Sequence, residues 1–145
     1  MIDKAAIAEL VPHAGTMCLI DRVLHWDAAR IRCAAESHRA ADNPLARDGS
    51  LAGICGIEYA AQAMAIHGRL AGATAERPRA GFLASLRDVE CVADRLDLVA
   101  SELLVEAEQL FGDGESVIYG FALRDADDRL LLSGRAAVVL AAPPS

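Results

Sequence analysis

Leu51-Ala-Gly-Ile-Cys-Gly-Ile-Glu-Tyr-Ala-Ala-Gln-Ala-Met-Ala-Ile-His-Gly-Arg-Leu70 is apolar nearly all round and reads as one long helix. A helix with no polar face has to be wrapped on most sides by the rest of its domain. One carboxylate, Glu58, interrupts it. A carboxylate in such surroundings is neutral, hydrogen-bonded or turned toward a polar cavity. Gln62 stands one turn later on the same face, at the i,i+4 spacing of a side-chain hydrogen bond. Gly53 and Gly56 strip side chains from the helix start, where free N–H groups favour developing negative charge. The stretch therefore has two readings. One is a core helix with a satisfied glutamate, and the other is an acid/base carboxylate beside an oxyanion-binding backbone.

Around this helix the chain alternates. Asp3 is placed to cap a short helix from Lys4 to about Leu10, which ends before Pro12. Met17 to Trp26 is strand-like. Arg30 to Glu36 puts Ile31, Cys33 and Ala35 on one face and charged residues on the other, so the two segments form a hairpin over Ala28-Ala29. The polar run Ser37 to Ser50 carries the turn signals Asp42-Asn-Pro44 and Asp48-Gly49, with Ser50 or Asp48 as a cap for the central helix. After that helix, Arg79 to about Val92 reads as a strand and Ala93 to Ala100 as irregular. Three strands close the chain: Ser101 to Phe111, Glu115 to Leu123 and Arg129 to Leu140. They are joined by Gly112-Asp-Gly114 and Asp125-Ala-Asp-Asp128. One apolar helix and a run of strands predict a single α+β domain over residues 1–145, a curved antiparallel sheet against one helix.

Composition limits the function. The 145 residues carry a net charge of -7, which argues against a nucleic-acid partner. Glu58, His67 and the many Ala and Gly residues argue against a membrane span. Cys18, Cys33, Cys55 and Cys91 form no CxxC pair and no metal spacing, so they read as small buried hydrophobes. Reduced thiols and the lack of a signal-peptide pattern at Met1-Ile-Asp-Lys4 lead to the expectation of a cytoplasmic protein. Arg30, Arg32, Arg39, Arg47, Arg77 and Arg79 are candidates for receiving an acidic carrier protein or a phosphopantetheine phosphate.

Two motifs and a strand carry a resemblance. Val11-Pro-His-Ala-Gly-Thr-Met-Cys-Leu-Ile-Asp-Arg-Val23 resembles the "LPH…(L/F)LLIDRV" opening of hotdog-fold 3-hydroxyacyl-acyl-carrier-protein dehydratases. Ala52-Gly-Ile-Cys-Gly-Ile-Glu-Tyr-Ala-Ala-Gln62 is similar to their "PGVLxxEAxAQ" helix, with Gly53, Glu58 and Gln62 in register. Arg79-Ala-Gly-Phe-Leu-Ala-Ser85 takes the place of the strand after that helix. "DNPLARDG" and "GIEYAAQAMAIHG" look closest to the branch associated with aryl-polyene gene clusters. The resemblance implies a hotdog fold and a homodimer or dimers of dimers. It implies an acyl thioester on the phosphopantetheine of an acyl carrier protein or on coenzyme A, and no resident cofactor. It implies elimination of water across C2–C3 by a histidine of one subunit and the helix glutamate of the other. By position, Glu58 is the catalytic carboxylate and Gln62 orients it. The Gly53 N–H polarises the thioester carbonyl, and Ile54 and Asn43 line the substrate.

One departure bears on the chemistry. The histidine of the group's "GHFP" is replaced in Ala41-Asp-Asn-Pro-Leu45 by Asn43, which cannot take a proton from C2 as imidazole does. The "GxPVMPG" link is also replaced, by Arg47-Asp-Gly-Ser-Leu-Ala-Gly53. Of the other histidines, His13 reads as a structural hydrogen-bonder and His25 as half-exposed on the first strand. His38 is the nearest substitute in sequence. His67 lies roughly 13 Å beyond Glu58 along the helix. Three functions stay open: a dehydratase, a non-catalytic acyl-thioester-binding subunit paired with a homologue that supplies the imidazole, and a thioesterase in which Glu58 activates water.

Overall fold

The computed structural model describes residues 2–11, 15–72 and 81–140. Its elements run α1 (Lys4–Ala8), β1 (Arg22–Trp26), β2 (Arg30–Ala35), α2 (Gly56–Ala71), β3 (Gly81–Cys91), β4 (Leu103–Gly112), β5 (Ser116–Arg124) and β6 (Leu130–Leu140). The six strands form one antiparallel sheet in the order β1-β2-β4-β5-β6-β3. α2 follows β2 in sequence and precedes β3, which lies at the opposite edge. The helix therefore crosses the inner face of the sheet, in the hotdog arrangement.

Alternation fixes which side is inner. Ile31, Cys33, Leu103, Val105, Phe121 and Leu123 are buried and face α2, whose Tyr59, Ala60, Ala63 and Ile66 are fully buried. Each large aliphatic side chain withdrawn from water here contributes about 1.5–3 kcal/mol. Gly56 lets the helix start press on the sheet, because a Cβ there would come within 2.9 Å of Leu132 and 3.0 Å of Leu123.

The structure corrects four expectations. The strand expected from Met17 begins only at Arg22, because Gly15–Met17 is a 3₁₀ turn and the Leu19 N–H bonds to the Gln62 side chain. The helix begins as a 3₁₀ turn at Gly53–Cys55, and neither Ser50 nor Asp48 caps it. Ser50 is paired with Arg47 across a tight turn in which Asp48 and Gly49 take φ of 52° and 74°. Wrapping of the helix is incomplete. Ile54 is 50% exposed, and Ile57, Glu58, Ala61 and Ala65 are half-buried along one helical face that the described residues do not fully cover. Finally, only Cys18 and Cys33 are buried, whereas Cys55 is half-buried and Cys91 exposed. Burial pushes the Cys33 thiol up to about 12.

β3 is the exposed edge of the sheet. Phe82, Leu83 and Leu86 are 62%, 44% and 37% exposed, on a strand whose outer edge has no neighbouring strand among the described residues. No helix among the described residues is long and apolar enough to cross a membrane.

Candidate functional site

Glu58 sits in the first turns of α2, on the uncovered face, and Gln62 holds it. The Gln62 side-chain carbonyl accepts the Leu19 N–H at 2.8 Å, which fixes the amide orientation. Its Nε2 then donates to the Met17 carbonyl at 2.7 Å and to Glu58 Oε1 at 3.3 Å. Gln62 is thus a three-way tie between the segment after α1, the helix and the carboxylate. Sequence spacing gave the Glu58 contact; the contacts with Met17 and Leu19 join segments that no local pattern connects.

The Gly53 N–H, expected to polarise the thioester carbonyl, donates to the Asp94 carbonyl at 2.8 Å. Glycine is needed here for close approach: a Cβ would lie 1.7 Å from the Ala93 carbonyl oxygen and 3.0 Å from the Cys91 sulfur. Gly53→Ala is therefore expected to destabilise the fold by about 1–3 kcal/mol, lowering Tm by roughly 5–10 °C. A thermal melt with wild-type Tm would contradict this packing. Among the described residues the Ile54 N–H, next in the chain, has no hydrogen-bond partner.

Asn43 is buried, and every polar atom of its side chain is committed. Nδ2 donates to the Ser37 carbonyl at 2.8 Å and to the Tyr59 hydroxyl at 3.1 Å, while Oδ1 accepts the Leu45 N–H at 2.8 Å. The Tyr59 hydroxyl and the Ser37 hydroxyl lie 2.8 Å apart. Burial raises the Tyr59 phenol, so it stays protonated and serves the network as a neutral group. Asn43 therefore ties the Ser37–Ser50 segment to Tyr59 of the helix. Tyr59 was missed from sequence; its one signal was a hydroxyl on an otherwise apolar face.

The described histidines are committed elsewhere. His67 is fully buried. Its Nε2 donates to the Asp27 carbonyl at 2.9 Å and its Nδ1 accepts the Tyr119 hydroxyl at 2.7 Å. His25 is exposed near the β1–β2 turn, 3.8 Å from Asp27. His38 is 2% exposed, and its Nε2–H is shared between the Val99 and Ser101 carbonyls at 3.0 and 2.9 Å. His13, Arg77 and Arg79 lie outside the described residues.

Burial, opposed by those two carbonyls and by Glu36 and reinforced by Arg39, lowers the His38 pKa below 6.5. The unfolded chain takes up this proton near pH 6.5, whereas the folded chain does so only at lower pH. The stabilisation is therefore complete above 6.5 and drains away as pH falls below it. Asp97, held down to about 2 by Arg95, contributes nothing to the change over that window. Urea midpoints are expected to fall between pH 7 and pH 5. His38→Gln, which keeps a donor for both carbonyls, should flatten the fall. An equally steep fall in His38→Gln would remove His38 as its source.

Two of the arginines considered for docking are spent on the outer face of the sheet, Arg30 with Glu108 at 2.7 Å and Arg32 with Glu106 at 3.9 Å. Arg39 and Arg47 are exposed, and neither makes an ion pair among the described residues.

Solved structures place this geometry among known proteins. The chain is similar to the dehydratase heterocomplex ApeI:P from Xenorhabdus doucetiae, with TM-score 0.78 and 22% identity over 94% of this chain and 91% of that one. It is similar to AziG of S. sahachiroi, with TM-score 0.67 and 14% identity over 90% and 97% of the two chains. A hypothetical thioesterase with coenzyme A from Streptococcus pneumoniae TIGR4 aligns with TM-score 0.63 and 10% identity over 86% and 88%. These likenesses establish the fold. Among curated protein sequences none matches. The model of the ApeP-like family, described as ApeP dehydratase, matches residues 5–144, and the chain belongs to that dehydratase family.

Proposed function

We propose that this chain is the carboxylate-bearing half of a 3-hydroxyacyl-thioester dehydratase, and that the imidazole comes from a second, homologous hotdog subunit. The observation that carries the reading is Asn43. It stands where the dehydratases have their histidine, and its side chain is turned inward and fully bonded. A second copy of this chain would bring only another Asn43, so the base has to come from a different subunit. That the similar Xenorhabdus doucetiae structure is a dehydratase heterocomplex supports the same arrangement.

In this reaction the partner's imidazole removes a proton from C2 of the thioester. Glu58, protonated, gives its proton to the leaving C3 hydroxyl, which departs as water. The C2–H electron pair becomes the C2=C3 bond of the enoyl thioester. Gln62 holds Glu58 through Oε1. The Ile54 N–H takes the thioester carbonyl, the role expected of Gly53, and the exposed Ile54 side chain lies against the acyl-pantetheine arm. The two subunits meet along β3 and the open face of α2, because both leave apolar groups in water. An acidic carrier is received by Arg39 and Arg47, on the segment leading to the helix start.

The test is product analysis of a short 3-hydroxyacyl thioester. Samples contain the chain alone and the chain co-expressed with a hotdog subunit that carries the Gly-His-Phe-Pro motif. Enoyl thioester is expected only from the pair. Free acid and thiol from the chain alone would mean a thioesterase instead.

A further inference from the structure

We propose that Asp97, held by Arg95, is a positioning residue of the dehydration: its carboxylate fixes the extended segment Leu51–Gly53 and so aims the Ile54 N–H at the thioester carbonyl. The inference rests on the role proposed above for that N–H.

The segment before the helix start is paired with the loop after β3. Ala52 stands opposite Arg95 in an antiparallel bridge. On either side of it the Gly53 N–H donates to the Asp94 carbonyl and the Leu96 N–H to the Leu51 carbonyl, both at 2.8 Å. In a continued ladder the Leu51 N–H would go to the Leu96 carbonyl in return. The chain turns instead, and the Val99 N–H takes that carbonyl at 3.0 Å. The Asp97 side chain supplies the missing acceptor, its Oδ1 receiving the Leu51 N–H at 2.9 Å. Leu51 and Leu96 are fully buried, and a buried N–H left without an acceptor is costly. Arg95 grips the carboxylate by a fork, with Nε on Oδ1 at 3.1 Å and a terminal nitrogen on Oδ2 at 2.5 Å. The Asp97 side chain is 16% exposed. Arg95 first, and then the Leu51 N–H, hold its pKa down to about 2, so it is a charged acceptor at neutral pH.

This clamp reaches the site through one peptide. The Ile54 N–H belongs to the Gly53–Ile54 peptide, whose carbonyl accepts the Gly56 N–H. In a planar trans peptide the N–H points opposite to the carbonyl. The direction of the donor is therefore set by the Gly56 bond on one side and by the placing of Leu51–Gly53 on the other. Ala52 is exposed and Gly53 has no side chain, so beyond the Leu51 side chain the segment is held by its backbone bonds to the loop. A misplacement of about 1 Å at such a donor can cost roughly 100-fold in rate.

Kinetics of the chain assembled with the imidazole-bearing hotdog subunit test this, with circular dichroism to confirm folding of each variant. Asp97→Ala is expected to lower kcat roughly tenfold or more with KM little changed, because the donor counts most as charge develops on the carbonyl oxygen. Asp97→Asn, which keeps Oδ1 for the Leu51 N–H, should recover most of the loss. In Asp97→Ala, amide exchange should quicken about tenfold or more at Gly53 and stay unchanged at Ala60 and Ala63 of α2. An active wild-type pair whose Asp97→Ala variant keeps its kcat overturns the positioning role and leaves the proposed reaction standing. So does exchange that quickens equally at Gly53, Ala60 and Ala63, which would make Asp97 a stabiliser of the whole fold. A wild-type pair that forms no enoyl thioester overturns the reaction and this role with it.

Discussion

Glu58→Gln is expected to lower enoyl-thioester formation by the proposed two-subunit enzyme roughly 100-fold or more, with KM and fold unchanged. The reason is local. Gln62 Nε2 donates to Glu58 Oε1 at 3.3 Å, and a glutamine at position 58 offers an amide oxygen to that same donor. The packing at the helix start and the tie to Met17 and Leu19 therefore survive. What is lost is the proton for the leaving hydroxyl, which an amide cannot supply. The loss falls on kcat, because the interaction matters only as the C–O bond breaks. Turnover by Glu58→Gln at the wild-type rate would remove Glu58 from the chemistry.

The second large effect concerns the β3 edge. Leu83→Asp with Leu86→Asp is expected to prevent pairing along β3 and to abolish dehydration with it. Both side chains face the helix side of the sheet and are 44% and 37% exposed. Among the described residues the strand that carries them is a sheet edge, and such an edge offers a row of N–H and C=O groups for pairing. Obligate interfaces of this kind bury about 2,000 Å² or more, and two carboxylates placed in one cannot be desolvated cheaply. Loss of co-elution with the imidazole-bearing subunit is the readout. Retained co-elution would place the interface elsewhere.

Much of the fold was legible in the sequence because it rests on short-range periodicity. The alternation of Leu103, Val105 and Ala107 against their glutamates named the inner face of β4, and the uniform apolarity of α2 named the core. The Glu58–Gln62 contact followed from one turn of helix. What could not be read was pairing at long range between irregular segments. The Gly53 N–H is claimed by Asp94, in a loop whose sequence has no period, and no local pattern signals that bond. Asn43 was read as a departure from the dehydratase pattern, but its bonding was not legible. Only the fold shows it bonded to Ser37, Tyr59 and Leu45. For that reason Asn43→His is not expected to restore a base to this chain, since the site is enclosed and turned away from solvent. The exposure of β3 was hidden as well, because an apolar strand reads the same whether its own domain covers it or another subunit does.

The most direct measurement is a titration. A fixed amount of this chain receives increasing amounts of the imidazole-bearing hotdog subunit, and enoyl-thioester formation is followed from a short 3-hydroxyacyl substrate. Activity should be absent at zero partner, rise with each addition and saturate when the subunits are equal in number. The rise should be absent when Glu58→Gln replaces the wild-type chain. Full turnover by this chain alone would contradict the division of the acid and the base between two subunits.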